Sequence, residues 1–342
     1  MRILGIETSC DETAASIIEG KKDHVLLRST VLATSLALHA KTGGIIPEQA
    51  AREQVKYILP VLKEALTKAD CALEEIDTVA VTYGPGLIGS LLVGVETAKT
   101  LSFVLNKPLI PVNHMVGHIY ANFIKSNSEV PAPDIKFPLL ALVVSGGHTD
   151  LLLMKKHGDF NLLGGTRDDA AGEAFDKIGR MLGLAYPAGP AIERLAKKGD
   201  PKRFRFPRPL LHEDTYEFSF SGLKTAVLRE VTSLGQLDTE TLCDLARATQ
   251  DAIADVLVKK TLRAAKEHRV QSLLLSGGVA ANQTLRDTFE QTIRDQKLPL
   301  NFFVPPRNLC TDNAAMIASA AYFNFNPIPW KDITADPELY FE

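Results

Sequence analysis

Residues 2–13 read Arg2-Ile3-Leu4-Gly5-Ile6-Glu7-Thr8-Ser9-Cys10-Asp11-Glu12-Thr13, and residues 138–149 read Pro138-Leu139-Leu140-Ala141-Leu142-Val143-Val144-Ser145-Gly146-Gly147-His148-Thr149. Each is a short apolar run of strand length that ends in small polar residues suited to a tight turn. The elements downstream of the two runs are also alike. After the first, residues 14–18 and 24–31 continue as strands, and Pro47 opens a helix with Val55, Ile58, Leu59, Leu62 and Leu66 at helical spacing. A strand at 76–81 then meets the turn Gly84-Pro85-Gly86, a helix at 89–105 comes next, and a short strand at 109–112 ends the half. After the second, a returning strand at 151–154, helices at about 171–182 and 241–268, a strand at 271–275, the turn Ser276-Gly277-Gly278, a helix from about Ala280 and a strand at 302–304 give the same order.

Three hairpin-linked strands, then helix, strand, glycine turn, helix and strand, written twice, is the pattern of the α/β, duplicated actin-like or sugar-kinase-like (ASKHA) fold. The expected lobes are residues 1–135 and 136–342, facing each other across a nucleotide cleft. Residues 186–237, rich in Pro, Gly, charge and aromatics, are expected as an irregular insertion in the second lobe.

Bulk composition is that of a globular protein. The chain has 342 residues, 45% apolar and 23% charged, which excludes disorder as its main character. A net charge of −3 provides no global attraction to nucleic acid, so an RNA substrate needs a local patch or a partner protein. Cys10, Cys71, Cys243 and Cys310 form no C-x-x-C pair, which argues against a zinc ribbon or redox dithiol and fits a reducing compartment. The N-terminal residues do not resemble a signal peptide, and no apolar run reads as long enough to span a bilayer, so a cytoplasmic protein is expected.

Gly84-Pro85-Gly86-Leu87-Ile88-Gly89 matches G-x-G-x-x-G, but no acidic residue ends the next strand, Pro111-Val112-Asn113. A tight turn for close strand–helix packing is the better reading. Residues 9–13 and 145–149 occupy equivalent places in the two halves, where backbone N–H groups and hydroxyls could donate to phosphate oxygens. At Ser276-Gly277-Gly278-Val279-Ala280-Ala281-Asn282 an adenosine could lie against bare backbone, with Asn282 near its base or ribose. His114-Met115-Val116-Gly117-His118 places two imidazoles at i and i+4, on one face of a helix. Met115 stands where a metalloprotease needs glutamate, so proteolysis is not the reading. By the symmetry of the halves, Asp312 in Cys310-Thr311-Asp312-Asn313 is the expected third metal ligand, reaching across from the other lobe; otherwise it caps the last helix. Lys197, Lys198, Lys202, Arg203, Arg205 and Arg208, interleaved with Phe204 and Phe206, form either a solvated loop or an RNA contact.

Taken together, residues 6–13, His114 with His118, residues 144–149, residues 276–282 and residues 310–313 resemble the bacterial tRNA N6-adenosine threonylcarbamoyltransferase family, TsaD, and the resemblance covers nearly the whole chain. It implies transfer of a threonylcarbamoyl group from threonylcarbamoyl-adenylate to N6 of the adenosine beside the anticodon, in tRNAs reading codons that begin with A, with release of AMP. It implies metal ligands at His114, His118 and Asp312, and adenylate contacts at Val143, Val144, Ser145, Gly146, Gly147, Asp176, Gly189 and Asn282. Family members usually carry glycine where Ala188 stands and often aspartate where Glu193 stands. One divalent metal per chain is expected, and two imidazoles with one carboxylate suit Fe(II), with Zn²⁺ as the alternative. Asp11 is the candidate to accept the amine proton. The resemblance also implies TsaB-like and TsaE-like partner proteins and no membrane. Two other readings stay open from the sequence: a small-molecule kinase of the same fold, which would use Mg²⁺ rather than a histidine pair, and a non-catalytic nucleotide-binding subunit.

Overall fold

β1 (Arg2–Glu7) is the central strand of the first sheet in the computed structural model, which describes residues 1–36, 38–39, 44–126, 129 and 131–341. β2 (Glu12–Lys21) pairs antiparallel with β1, and β3 (His24–Thr34) antiparallel with β2. β4 (Thr78–Gly84) and β5 (Leu109–Asn113) lie parallel on the other side, and the two-residue β6 (Ile124–Lys125) extends the edge, in the order β5-β4-β1-β2-β3-β6. On one face, α1 (Pro47–Lys68) and α2 (Ile88–Leu105) bury Ile58, Leu62, Val95 and Ala98 against Leu4, Ile6, Val79 and Val81. On the other lie α3 (His114–Tyr120) and α9 (Ala314–Phe323). Covered on both faces, β1 has no solvent side, and its apolar run is therefore continuous rather than alternating.

The second sheet comprises β7 (Leu139–Val144), β8 (Thr149–Met154), β9 (Asn161–Gly165), β10 (Ser272–Ser276) and β11 (Asn301–Phe303), in the order β11-β10-β7-β8-β9. Three antiparallel strands followed by two parallel ones repeat the β5-β4-β1-β2-β3 order of the first sheet. This is the duplicated actin-like arrangement.

The chain divides into two compact units, Met1–Ile135 with Pro305–Glu342, and Lys136–Val304. This division corrects the expectation that the second lobe continues to residue 342. α9 returns to the first sheet because small residues there admit it. A Cβ on Gly5 would sit 2.2 Å from the Ala314 carbonyl oxygen, and one on Gly20 would overlap the Tyr322 ring.

The stretch 186–237 is less irregular than its composition suggests. It contains α5 (Gly189–Ala196), with Pro190 in its first turn, and α6 (Ser221–Leu234). The start of α6 is capped from a distance: the Asp168 carboxylate accepts from the backbone N–H groups of Phe220 (2.8 Å) and Ser221 (3.1 Å) and from the hydroxyls of Ser219 and Ser221. A cap supplied from so far away leaves no local mark in the sequence. α4 (Ala171–Met181), α7 (Thr239–Glu267) and α8 (Gln283–Asp295) complete this unit.

Two further expectations change. α2 is long and apolar enough, by length and composition, to cross a membrane, contrary to the reading from sequence. In this fold its Ser90, Leu91, Gly94, Val95, Ala98 and Ser102 are buried on the first sheet. On α1, Ile58 and Leu62 are buried, whereas Val55 and Leu59 are 64% and 69% exposed, so its apolar spacing serves two different faces.

Candidate functional site

In the first unit, strand ends and helix starts bring the polar groups together. β1 ends at Glu7, the turn carries Ser9, Cys10 and Asp11, and β5 ends at Asn113, whose side chain accepts from the N–H groups of Met115 and Val116 and so caps α3. That cap sets the helix carrying His114 and His118, whose rings meet edge to face with centroids 4.6 Å apart. The last helix is capped by Asn313, which accepts from the Met316 N–H, and not by Asp312. Asp312 is thereby left to the histidines: its Oδ1 lies 3.5 Å from His114 Nε2 and 3.3 Å from His118 Nε2. One ligand atom from each of the three residues lies within 4.8 Å of the others. The expectation that Asp312 reaches across from the other lobe is corrected, since all three residues belong to the same unit.

The donor set fits a metal. His118 is fully buried, and neither of its ring nitrogens makes a hydrogen bond among the described residues; the Asp312 approach has ion-pair distance without hydrogen-bond geometry. A buried polar atom left unpaired costs about 1–3 kcal/mol. A cation between the two imidazoles and the carboxylate would remove that cost, and two nitrogens with one oxygen suit Fe(II) or Zn²⁺.

The site carries an excess of negative charge. Burial opposes charge on His114, but Glu7 and Asp312 outweigh it and lift the imidazole to about 9. Burial holds His118 below its ordinary value, with the neighbouring His114 adding to the effect. Burial and then Asp312 raise the half-buried Asp11 carboxyl above its ordinary value, while burial and then Asp11 push Glu12 up to about 7. Burial also raises the Cys10 thiol, with Asp312 and Asp11 adding. Such crowding of carboxylates is costly unless a positive charge joins them.

Glu7 is the residue that sequence reasoning missed. It is fully buried at the end of β1, and its carboxylate accepts from the Ser9 N–H, the Thr82 hydroxyl and His114 Nδ1, the last at 3.1 Å. An acidic residue closing an otherwise buried apolar strand was the available signal.

In the second unit, Val143, Val144, Ser145, Gly146 and Gly147 form the end of β7 and the turn after it. Val143 and Val144 are buried, while Gly146 and Gly147 face open space. The turn is pinned from two sides. The Gly172 N–H donates to the Ser145 carbonyl (3.2 Å), and Gly277, at φ +88°, comes so near Val144 that a Cβ would lie 2.4 Å from its carbonyl oxygen. Asn282 caps α8 through the Leu285 N–H (2.9 Å) and donates to Gln250 (3.0 Å). Asp176 accepts from the Ala188 N–H at 2.7 Å, which anchors the start of α5 beside Gly189. Ala188 is accommodated by Gly179, where a Cβ would meet the alanine's own at 2.1 Å. Glu193 accepts from the Gln283 N–H at 3.2 Å and ties α5 to the Asn282 turn. Within the first unit, the glycine turn read as a packing device behaves as one: a Cβ on Gly86 would lie 2.4 Å from the Ser9 carbonyl oxygen, and the Leu87 N–H donates to that oxygen at 2.8 Å.

The basic stretch divides. Arg203 donates to Asp244 (2.8 Å) and Thr241 (2.9 Å), Arg208 pairs with Asp255 (2.9 Å), and Lys197 lies 3.6 Å from Glu193. Phe206 is buried. Lys198, Lys202 and Arg205 are exposed and have no ion-pair partner among the described residues.

A repeated actin-like sheet, with the same strand order in both units, places the chain in the ASKHA fold class. Two solved structures of that architecture, full-length HypF in its phosphate- and nucleotide-bound form and T. kodakarensis HypF, align over 94% of this chain at TM-scores of 0.61 and 0.62, with 12% and 14% identity. The chain spans about half of each, 55% and 47%, so the likeness is one of fold. The sequence is more specific. Residues 27–319 match the tRNA N6-adenosine threonylcarbamoyltransferase family, TsaD, and the chain belongs to it. Threonylcarbamoyltransferases from Moorella thermoacetica and Symbiobacterium thermophilum are 50% and 52% identical over 324 and 321 residues, each covering 94% of this chain and 92% and 91% of theirs.

Proposed function

We propose that this transferase moves the threonylcarbamoyl group of threonylcarbamoyl-adenylate to N6 of the adenosine beside the anticodon, in tRNAs reading codons that begin with A. The observation that carries the reading is the His114–His118–Asp312 triad, with its unpaired buried imidazole, in a chain that matches threonylcarbamoyltransferases over nearly its whole length.

The adenine amine is a poor nucleophile because its lone pair is delocalised into the ring. N6 attacks the carbamoyl carbon, the new N–C bond forms, and the bond from that carbon to the phosphate oxygen breaks, releasing AMP. His114, His118 and Asp312 would hold one divalent cation, Fe(II) by preference or Zn²⁺, which when bound supplies Lewis acidity to the donor. Asp11 takes the N6 proton; burial and Asp312 raise its carboxyl, which makes it a better proton acceptor near neutral pH. In the second unit, the open backbone of Gly146 and Gly147 receives the phosphate, and the turn ending in Asn282 receives the adenosine, with Asp176 and Gly189 shaping the neighbouring loop.

TsaB-like and TsaE-like proteins would act with the chain, in the cytoplasm. The apolar groove of the first unit, lined by Pro47, Ala51, Val55, Ile88 and Val93, supports one such contact. Incubation of the protein with threonylcarbamoyl-adenylate, its partners and unmodified tRNA, followed by mass spectrometry of the digested tRNA, tests the proposal. N6-threonylcarbamoyladenosine and AMP are expected; an unmodified digest with active partners and intact donor refutes it. A small-molecule kinase would instead form ADP from ATP without tRNA.

A further inference from the structure

We propose that Glu7 is a positioning residue for the metal centre: its carboxylate holds His114 with the proton on Nδ1, so that Nε2 is presented to the cation. The inference rests on the metal reading above and goes beyond it in assigning how one ligand is oriented.

Every partner of Glu7 is a donor. The backbone N–H of Ser9 bonds to Oε1, and the Thr82 hydroxyl and His114 Nδ1 meet at Oε2. A carboxylate only accepts, so the Glu7 contact requires a hydrogen on Nδ1. Ser9 Oγ, 3.2 Å from the same nitrogen, can accept or donate and adapts to that choice. The opposite nitrogen, Nε2, faces Asp312 Oδ1 at 3.5 Å. Two separate groups therefore give the two ring nitrogens different duties.

The placement is rigid. Glu7 lies in the middle strand of the first sheet and is completely buried, Thr82 is on the adjoining β4, and His114 begins α3 at the end of β5. Burying a carboxylate is costly unless its oxygens are fully bonded, and here three donors from three elements bond it. His118 offers the internal contrast, because its Nδ1 has no acceptor among the described residues. Of the two imidazoles, only His114 has an acceptor on Nδ1 among the described residues, which sets its tautomer before a cation arrives. Outer partners of this kind commonly account for 10–100-fold in metal affinity.

The test uses the full-length protein. Zn²⁺ and Co²⁺ affinities are measured by chelator competition for wild type, Glu7→Gln and Thr82→Val. Glu7→Gln should bind about 10–100-fold more weakly, since a neutral amide is a poorer acceptor and its NH₂ must oppose one of the three donors. Thr82→Val removes a different bond of the same carboxylate and should stay near wild type. Equal affinity in wild type and Glu7→Gln overturns the proposal, and so does an equal loss in both variants, which would mark a merely structural network. A wild type that binds neither ion would sink the metal reading itself. Should Glu7→Gln not fold, the wild type decides: nitrogen-15 NMR of the Zn²⁺-loaded, histidine-labelled protein should show His114 coordinated through Nε2 with a proton on Nδ1. Coordination through Nδ1 refutes the role.

Discussion

His118 Nε2 lies 3.3 Å from Asp312 Oδ1 and makes no hydrogen bond to it. A buried imidazole and a carboxylate that approach without bonding are spaced as two ligands of one cation would be. Purified protein should carry about one metal ion per chain, matching a three-ligand site. His118→Ala and Asp312→Ala should each lose most of it by elemental analysis, and equal metal content in wild type and both variants would overturn the site.

Asp11 shares the turn after β1 but is not among the three ligands. Asp11→Ala should retain its metal while turnover falls by about 10²–10⁴-fold, the range of lost general-base assistance. AMP release in single turnover, read beside metal content, separates this outcome from that of Asp312→Ala, where both fall.

Members of the basic stretch should respond differently to substitution. Replacing Lys198, Lys202 and Arg205 together by alanine should weaken tRNA binding and reduce the slope of log K against log salt by about 2–3, at about 0.7–0.9 per phosphate contact. Arg203→Ala should instead destabilise the fold, because the nearly buried Asp244 loses its charge partner and keeps only the Asp200 N–H. An unchanged salt slope in the triple variant would assign the stretch to a solvated loop.

Val55 and Leu59 are exposed apolar residues on a helix whose other face is well packed. Leu59→Asp combined with Val55→Asp should leave melting of the isolated protein nearly unchanged. Binding to a TsaB-like partner should weaken by about 30-fold or more, as expected where an interface anchor is worth at least about 2 kcal/mol. Calorimetric titration showing full affinity would remove this face from consideration.

Lys260 is almost wholly buried and donates to the carbonyls of Leu210 (2.8 Å) and Glu217 (2.6 Å). Burial, with Arg263 close by, lowers it to about 8 from an ordinary 10.5. Below about pH 8 it is charged in both the folded and unfolded chain, and its contribution is constant. Between about 8 and 10.5 the unfolded chain keeps a proton the folded one has shed, so this group adds stability as pH rises. Lys260→Met should lose about 1–3 kcal/mol at neutral pH by orphaning two carbonyls. Denaturant unfolding at about pH 7.5 and about pH 10 should show the gap between wild type and variant widening; a constant gap contradicts the assignment.

The sheets were legible because their signal is local. An apolar strand ending in a polar turn can be read from residues 2–13 alone, and its repetition at 138–149 supplied the topology. His114 and His118 were legible for the same reason, since i and i+4 spacing is written in the chain. Asp312 was found by symmetry but placed in the wrong lobe, because the covering of Gly5 by Ala314 is a contact between opposite ends of the sequence. α6 was hidden since its cap, Asp168, lies far upstream of the helix it starts. Glu7 closes the first apolar run, yet nothing next to it in the chain names its partner His114. Long-range pairing, rather than weak propensity, limited the reading.

The return of residues 305–342 to the first unit also orders events during synthesis. A ribosome emits Lys136–Val304 as one uninterrupted piece, so that unit has every strand it needs while the chain is still growing. The earlier-made Met1–Ile135 must wait with Gly5 and Gly20 uncovered until α9 emerges, after the whole of Lys136–Val304. Although domains usually mature in the order they are made, here the unit begun first is completed after the other, and Asp312 joins His114 and His118 only once Lys136–Val304 has been made. A nascent chain stalled before Pro305 would hold a finished second unit and lack Asp312 beside His114 and His118.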